Sequence, residues 1–250
     1  LRELLRAAGL PSNRRRLHDE EQLAVEFADY PDAGRFADDF LFGYMVADKD
    51  AAKAMKKAQR PAKRDSVLRM NMAVGLVPYR FNATFHQSPM NAGESPWKNA
   101  NSSALLHREV AHTAYQYPFA LAMADCLANP QGATWTRALL EAIGQLSNVA
   151  GNHARSYFEM APRSLVARLT PSLVAGFDTY GFREDGGFSE LARVRAGDLP
   201  GAELWVAGEL VRTMDTAERE RLAAEGVHLF ESPQRALEAI ADAALVETRA

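Results

Sequence analysis

The alternation in residues 63–79, KRDSVLRMNMAVGLVPY, constrains the fold more than any other stretch of the chain. Successive side chains on a strand point to opposite faces, so a half-buried strand repeats every two residues. Leu68, Met70, Met72, Val74 and Leu76 fall on one face, and Arg69, Asn71, Ala73 and Gly75 on the other. The first face suits a core. The second is small at its centre and carries an arginine and an amide towards its start, so a flat or phosphorylated ligand has room to approach. An edge strand with one solvated face has the same pattern. Pro78 and Tyr79 end the segment.

The sequence has 250 residues, 47% of them hydrophobic, enough for one substantial core, and it reads as a single domain, 1–250, with insertions. No apolar run approaches a membrane span and no charged-then-apolar leader is present. The single cysteine, Cys126, leaves no internal disulfide and fits a reducing compartment. These features predict a soluble cytoplasmic protein. The net charge of −3 argues against indiscriminate binding of nucleic acid, yet it hides a polarity. Residues 49–69 hold eight basic and two acidic side chains, a local +6, whereas residues 184–250 hold fourteen acids and seven arginines, a local −7. That distribution suits a polyanion-binding face with an opposed back, or copies stacked head to tail.

Leu1, Leu4, Leu5 and Ala8 recur at helical spacing and stop at Gly9 and Pro11, with no capping residue before Leu1, which places the true start upstream. Residues 12–16, SNRRR, read as a loop and 20–29 as a short helix. Residues 38–46, DDFLFGYMV, read as a buried strand or a strand-to-helix element, and 51–58 as an exposed helix. Residues 80–105 are rich in Asn, Ser, Pro and Gly, with Phe81, Phe85, Met90 and Trp97 interspersed, an excursion long enough to imply function or disorder. Period two then returns through Tyr115, Tyr117, Phe119, Leu121 and Met123, so the two alternating segments make an extended hairpin; helical spacing of Tyr115, Phe119 and Met123 is an alternative. Residues 134–149 form the clearest helix, with Trp135, Leu139, Ile143 and Leu146 on one stripe and Gly151 as its stop. A strand interrupted at Pro162, a loop over 178–187 and a strand over 202–210 follow. Asp215 and Glu218 form a capping box for a helix ending at Gly226, residues 227–230 a short strand, and Ser232 with Pro233 starts a last helix through Val246. Strands and helices interleave without a βαβ rhythm, so the class is α+β.

No phosphate-binding Gly-rich loop, paired CxxC or HExxH is present, and nothing calls for a cofactor or metal. His86, His107 and His112 read as surface or hydrogen-bonded residues. Asp38 and Asp39 are adjacent carboxylates beside an aromatic segment; a general-base or metal-assisted role is conceivable there, and a solvated strand entry fits as well. Residues suited to RNA are more numerous. Cations neutralise phosphates, amides read bases or sugars, and aromatics stack on splayed bases. Arg14, Arg15, Arg16, Lys63, Arg64, Arg69, Asn71, Lys98, Asn99, Asn101, Asn152, His153 and Arg155 supply the polar half, and Phe85, Met90 and Trp97 are candidate wedges.

The order of LRELL, DDFLFGYM, KRDSVLRMNMAVGLVPY, HREVAHTAYQYPFALAMADC and GNHARSYFEMAP, which spans the chain to about Pro171, resembles the backbone subunit of type I CRISPR effector complexes (Cascade), closest to the DevR-like, type I-B branch. The resemblance implies an RRM-like (ferredoxin-like) palm with an inserted helical region and a protruding thumb hairpin over 80–105. It also implies that several copies coat the guide RNA in a helical filament beside other Cascade subunits, and that target DNA is met through the guide. Arg69, Asn71 and the preceding cations would lie near the RNA-facing sheet, with Asn152, His153 and Arg155 beside it. Such subunits are not nucleases. The family's first strand is absent before Leu1, and the insertion between Gly43 and Lys63 is short for a finger domain. The leading reading is therefore a non-catalytic crRNA-binding filament subunit. A type III-like subunit that cleaves target RNA through Asp38 or Asp39, and a scaffold without nucleic acid, are the alternatives.

Overall fold

The computed structural model describes residues 1–18, 23–27, 29–87, 105–109, 113–147, 149–150 and 157–245. Helix α1 (Arg2–Ala7) buries Leu5, packs Leu1 and Leu4 beside it, and ends before Gly9 at a φ of 81°. Strands β1 (Arg14–His18) and β2 (Leu23–Phe27) pair antiparallel, from Arg14 opposite Phe27 to His18 opposite Leu23. This corrects the expected loop at 12–16 and the expected helix within 20–29. LAVEF alternates with period two, and the backbone N–H groups of Asn13 and Arg14 both donate to Asp38, which holds the chain extended where it enters β1.

Residues 38–46 are buried at their start as expected, but the order is helix then strand: α2 (Ala37–Phe42) precedes β3 (Tyr44–Met45). Ala37, Phe40 and Leu41 enter the core. Asp38 and Asp39 are 1% and 0% exposed, so the solvated strand entry is also corrected. Helix α3 (Lys49–Lys57) is the expected exposed helix. The Asp48 carboxylate accepts from the N–H groups of Asp50 and Ala51, and only Met55 is buried.

Residues 63–79 do not form one strand. They divide into β4 (Lys63–Arg64), which pairs with β3, then β5 (Leu68–Met70) and β6 (Val74–Gly75). Next come β7 (Ala83–Gln87), β8 (Leu105–Glu109), β9 (Tyr115–Gln116) and β10 (Phe119–Leu121). β5 pairs with β10, β6 with β9 and β7 with β8, all antiparallel, so the described residues form the expected extended hairpin. Its register slips on the way out: Met70 to Val74 spans four residues against three from Gln116 to Phe119. Gly75 to Ala83 spans eight against six from Glu109 to Tyr115. Extra residues of this kind bend and twist a ribbon.

The expected core face also fails beyond Leu68, which is buried. Met70, Met72 and Val74 are 51%, 78% and 39% exposed. Leu68, Leu121 and Phe119 touch the main core. Further out Tyr117 Oη donates to the Met160 carbonyl, Tyr180 Oη to the Met72 carbonyl and the Phe182 N–H to Gln116 Oε1, contacts that leave the Met70 and Met72 side chains exposed. Alternation tells which residues share a face. It does not supply the layer that buries them.

Met123, grouped above with the second strand, begins the short helix α4 (Met123–Cys126). Helix α5 (Gly132–Gly144) buries Trp135, Leu139, Leu140 and Ile143, and Trp135 meets the Phe40 ring edge-on at 5.5 Å. It stops earlier than the expected 149; Gly151 lies outside the described residues. Strands β11 (Val149–Ala150) and β12 (Tyr157–Phe158) pair, and β13 (Ser164–Arg168) follows Pro162, as the interrupted strand predicts.

The remaining elements are α6 (Leu191–Arg195), β14 (Leu204–Gly208), α7 (Glu209–Arg212), α8 (Thr216–Ala224), β15 (His228–Phe230) and α9 (Pro233–Ala244). β14 is buried at every residue, between antiparallel β13 and parallel β15. Leu204 and Val206 join Val194, Val211 and Leu222 in one core, whereas Ala207 joins Leu165 and helices α1, α2, α5 and α9 in the other. The three-stranded sheet therefore separates two apolar clusters. The architecture is α+β, and no helix among the described residues is long and apolar enough to cross a membrane.

Candidate nucleic-acid interface

Two local devices bring basic residues together around one cleft. The first is Gly43, where α2 ends with φ 63° and ψ −178°, a conformation that is essentially glycine-only. A Cβ there would lie 2.5 Å from the Arg64 carbonyl oxygen and 2.7 Å from the Ser66 nitrogen. Glycine thus allows β4 to pass against the end of α2, with Tyr44 opposite Arg64 and Met45 opposite Lys63.

The second device is a buried polar knot. Asp38 accepts from the backbone nitrogens of Asn13 (2.7 Å) and Arg14 (3.0 Å). Asp39 accepts from Asn13 Nδ2 at 2.8 Å and from the backbone nitrogen of Asp32 at 3.0 Å. Asn13 Oδ1 accepts from the Asp29 nitrogen at 3.1 Å. Burial pushes the Asp39 carboxyl above its ordinary range, and the neighbouring Asp38 charge adds to this, against the lowering effect of its two donors. The knot fixes the first residue of β1 beside α2.

The cleft that results has a volume of about 410 Å³ and is lined by Arg14, Lys63, Arg64, Tyr44 and Ser66, with Phe42, Gly43, Met45 and Asp65. Three of the sequence-predicted cations therefore share one wall. They differ in freedom. The Arg64 guanidinium lies 5.0 Å from the centre of the Phe40 ring and donates to the carbonyl oxygens of Phe40 (2.6 Å), Asp65 (3.2 Å) and Asp39 (3.4 Å). It satisfies last-turn carbonyls of α2 while lining the cleft. Lys63 is exposed. Tyr44 is buried, and desolvation pushes its phenol up, so it stays protonated and able to donate at neutral pH.

Arg69 and Asn71 lie on the hairpin and not in the cleft. Arg69 is exposed and sits 3.7 Å from the half-exposed Asp125 carboxylate, while the Asn71 backbone N–H donates to Pro118. Arg15 and Arg16 are in β1, opposite Glu26 and Val25 in register. Phe85 is 77% exposed on β7, with its ring 4.9 Å from that of His107, and Phe81 lies 6.4 Å from the same imidazole. Lys98, Asn99, Asn101, Asn152, His153, Arg155, Met90 and Trp97 lie outside the described residues. Sequence reasoning missed Asn13, Tyr44 and Ser66. Asn13 sits in a run of arginines with no pattern to mark it, but the Gly43 between two aromatics was a visible sign of a close approach.

Over 201 residues the chain is 33% identical to the CRISPR-associated protein Cas7/Cst2/DevR of Myxococcus xanthus (strain DK1622), covering 77% of this chain and 64% of that relative. The chain is Cas7/Cst2/DevR-like. It spans less than two thirds of that relative's length. No protein-family model matches it. In this Cas7/DevR-like chain three of the segments that carried the resemblance lie wholly among the described residues. LRELL lies in α1, DDFLFGYM makes α2 and β3, and KRDSVLRMNMAVGLVPY supplies the cleft wall and the outgoing half of the hairpin.

Proposed function

We propose that this Cas7/DevR-like protein is a guide-RNA-binding backbone subunit of a CRISPR effector complex, of type I and non-catalytic, that assembles with copies of itself and serves antiviral defence through target DNA paired to the guide. The observation that carries the reading is the 33% identity to the Myxococcus relative; the convergence of Arg14, Lys63 and Arg64 on one cleft supports it. In this reading the α+β body is an RRM-like palm, residues 80–105 are the thumb, and the cleft takes backbone phosphates. Exposed Phe85 on the ribbon offers a π-face to a displaced base.

The type III-like alternative places metal-assisted RNA cleavage on Asp38 or Asp39. Both carboxylates are buried and engaged by Asn13, Arg14 and Asp32, which supports a structural role for them. Purification followed by sequencing of bound nucleic acid tests the proposal. Short guide-like RNA recovered with a self-associating protein is expected. Monomeric protein free of nucleic acid at low salt would overturn it. Regularly spaced, metal-dependent cutting of complementary RNA, lost in Asp38→Ala, would favour the alternative.

A further inference from the structure

A second cleft lies in the acidic C-terminal half, where α7, α8 and the turn from β15 into α9 meet. Its volume is about 470 Å³, and it is lined by Arg212, Met214, Thr216, Arg219 and Glu231. Two guanidiniums converge here in a region, residues 184–250, whose net charge is −7 with both of them counted. Both are pre-positioned by main chain: Arg212 Nη1 donates to the Glu231 carbonyl oxygen at 2.5 Å, and Arg219 Nη2 to the Val211 carbonyl oxygen at 3.0 Å. An arginine whose geometry is already fixed loses less entropy on taking up a ligand.

Arg219 also has donor capacity to spare. A guanidinium has five N–H donors in a planar fork suited to carboxylate and phosphate oxygens. Both hydrogen bonds of Arg219 come from Nη2, so the N–H donors of Nη1 are left for a ligand; Nε is shut off from water and does not count among them. Among the described residues the only carboxylate lining the cleft is that of Glu231, itself 69% exposed, whose Oε1 reaches Arg219 Nη2 at 3.3 Å. The nearby Asp215 carboxylate is occupied as the cap of α8, accepting from the Glu218 N–H at 2.8 Å. Two anchored guanidiniums, the Thr216 hydroxyl and one loosely held carboxylate describe a pocket in which an internal acid occupies part of an anion site.

We propose that this cleft binds one compact oxyanion, a phosphate or carboxylate group, between Arg212 and Arg219, and that Glu231 is the competitor it displaces. The surrounding acids repel an extended polyanion, so the site is separate from the basic cleft and does not depend on the guide-RNA reading. Calorimetric titration of the full chain with inorganic phosphate, and separately with acetate, at constant ionic strength set by sodium chloride, tests it. Saturable binding in the millimolar range is expected, weakened about tenfold in Arg219→Gln and in the more exposed Arg212→Gln. Glu231→Gln should bind several-fold tighter, and Lys63→Ala, in the other cleft, should bind as the wild type does. Binding of phosphate alone assigns the site to phosphate groups, and binding of acetate assigns it to carboxylates. No saturable binding of either anion, unchanged affinity in both arginine variants, or no gain in Glu231→Gln would overturn the proposal.

Discussion

Asn13, which precedes three arginines in the sequence, is fully buried, and its amide uses both ends: Nδ2 donates to Asp39 and Oδ1 accepts from the Asp29 N–H. Removing it takes one of two donors from the buried Asp39 carboxylate, which keeps only the Asp32 N–H, and leaves the Asp29 N–H without its acceptor, a loss that costs about 1–3 kcal/mol. Asn13→Ala is therefore expected to lower the unfolding free energy in urea by about 2–3 kcal/mol. A loss under about 0.5 kcal/mol would mean the knot is not holding β1 to α2. Asp39 gives the same knot a pH signature. Its carboxyl is raised above the ordinary 3.8, so in the window between that value and the raised one the folded chain binds more protons than the unfolded chain. The Asp39 contribution to stability falls as pH rises through that window. Relative to Asp39→Asn, which cannot titrate there, the wild type should lose stability as pH climbs upward from 3.8, as read from urea midpoints at several pH values. A difference that stays flat or grows would contradict the assignment. The adjacent carboxylates were legible in the sequence. Their burial was not, because the donors come from Asn13 and Arg14, which lie far back in the chain.

At the scale of elements, Gly43 decides whether β4 can lie against α2. Gly43→Ala forces a positive φ on a residue with a Cβ and drives that carbon into the Arg64 carbonyl. The backbone strain and overpacking together predict a loss of about 2–5 kcal/mol, visible as a lower thermal midpoint, together with loss of the cleft. An unchanged midpoint would show that β3 and β4 are not held as described. What was legible among the elements followed locality. The Asp215 cap with Gly226, and Ser232 with Pro233, mark α8 and α9 because a cap needs only its own first turn and a C-terminal glycine only its own φ. Helix α5 was visible through Trp135, Leu139 and Ile143, yet its end was not. It stops at Gly144, where a Cβ would meet Gln234 Cα at 3.3 Å, and that neighbour belongs to a distant part of the chain. Residues 63–79 illustrate the converse. Their alternation predicted pairing correctly and burial incorrectly, since the covering layer for Met70 and Met72 is a tertiary matter.

Over the whole molecule, charge is divided: the basic cleft draws on residues near 14 and 63–64, and the sequence from 184 onwards is net acidic. The α+β class was legible from interleaved periods, whereas the two cores on either side of β14 were not, because a strand buried on both faces shows no alternation. The central claim is that the cleft of Arg14, Lys63 and Arg64 holds phosphates of a single-stranded RNA. Arg64 also closes α2, so its removal would mix an effect on folding with one on binding, whereas Lys63 is exposed. The direct measurement is fluorescence anisotropy of labelled single-stranded RNA titrated at several salt concentrations with the wild type and with Arg14→Ala/Lys63→Ala. The wild type should bind with affinity that falls steeply with salt. The double variant should bind more weakly, with a slope shallower by about 0.7 for each phosphate it no longer neutralises. Equal affinity and equal slope in the two proteins would contradict the account.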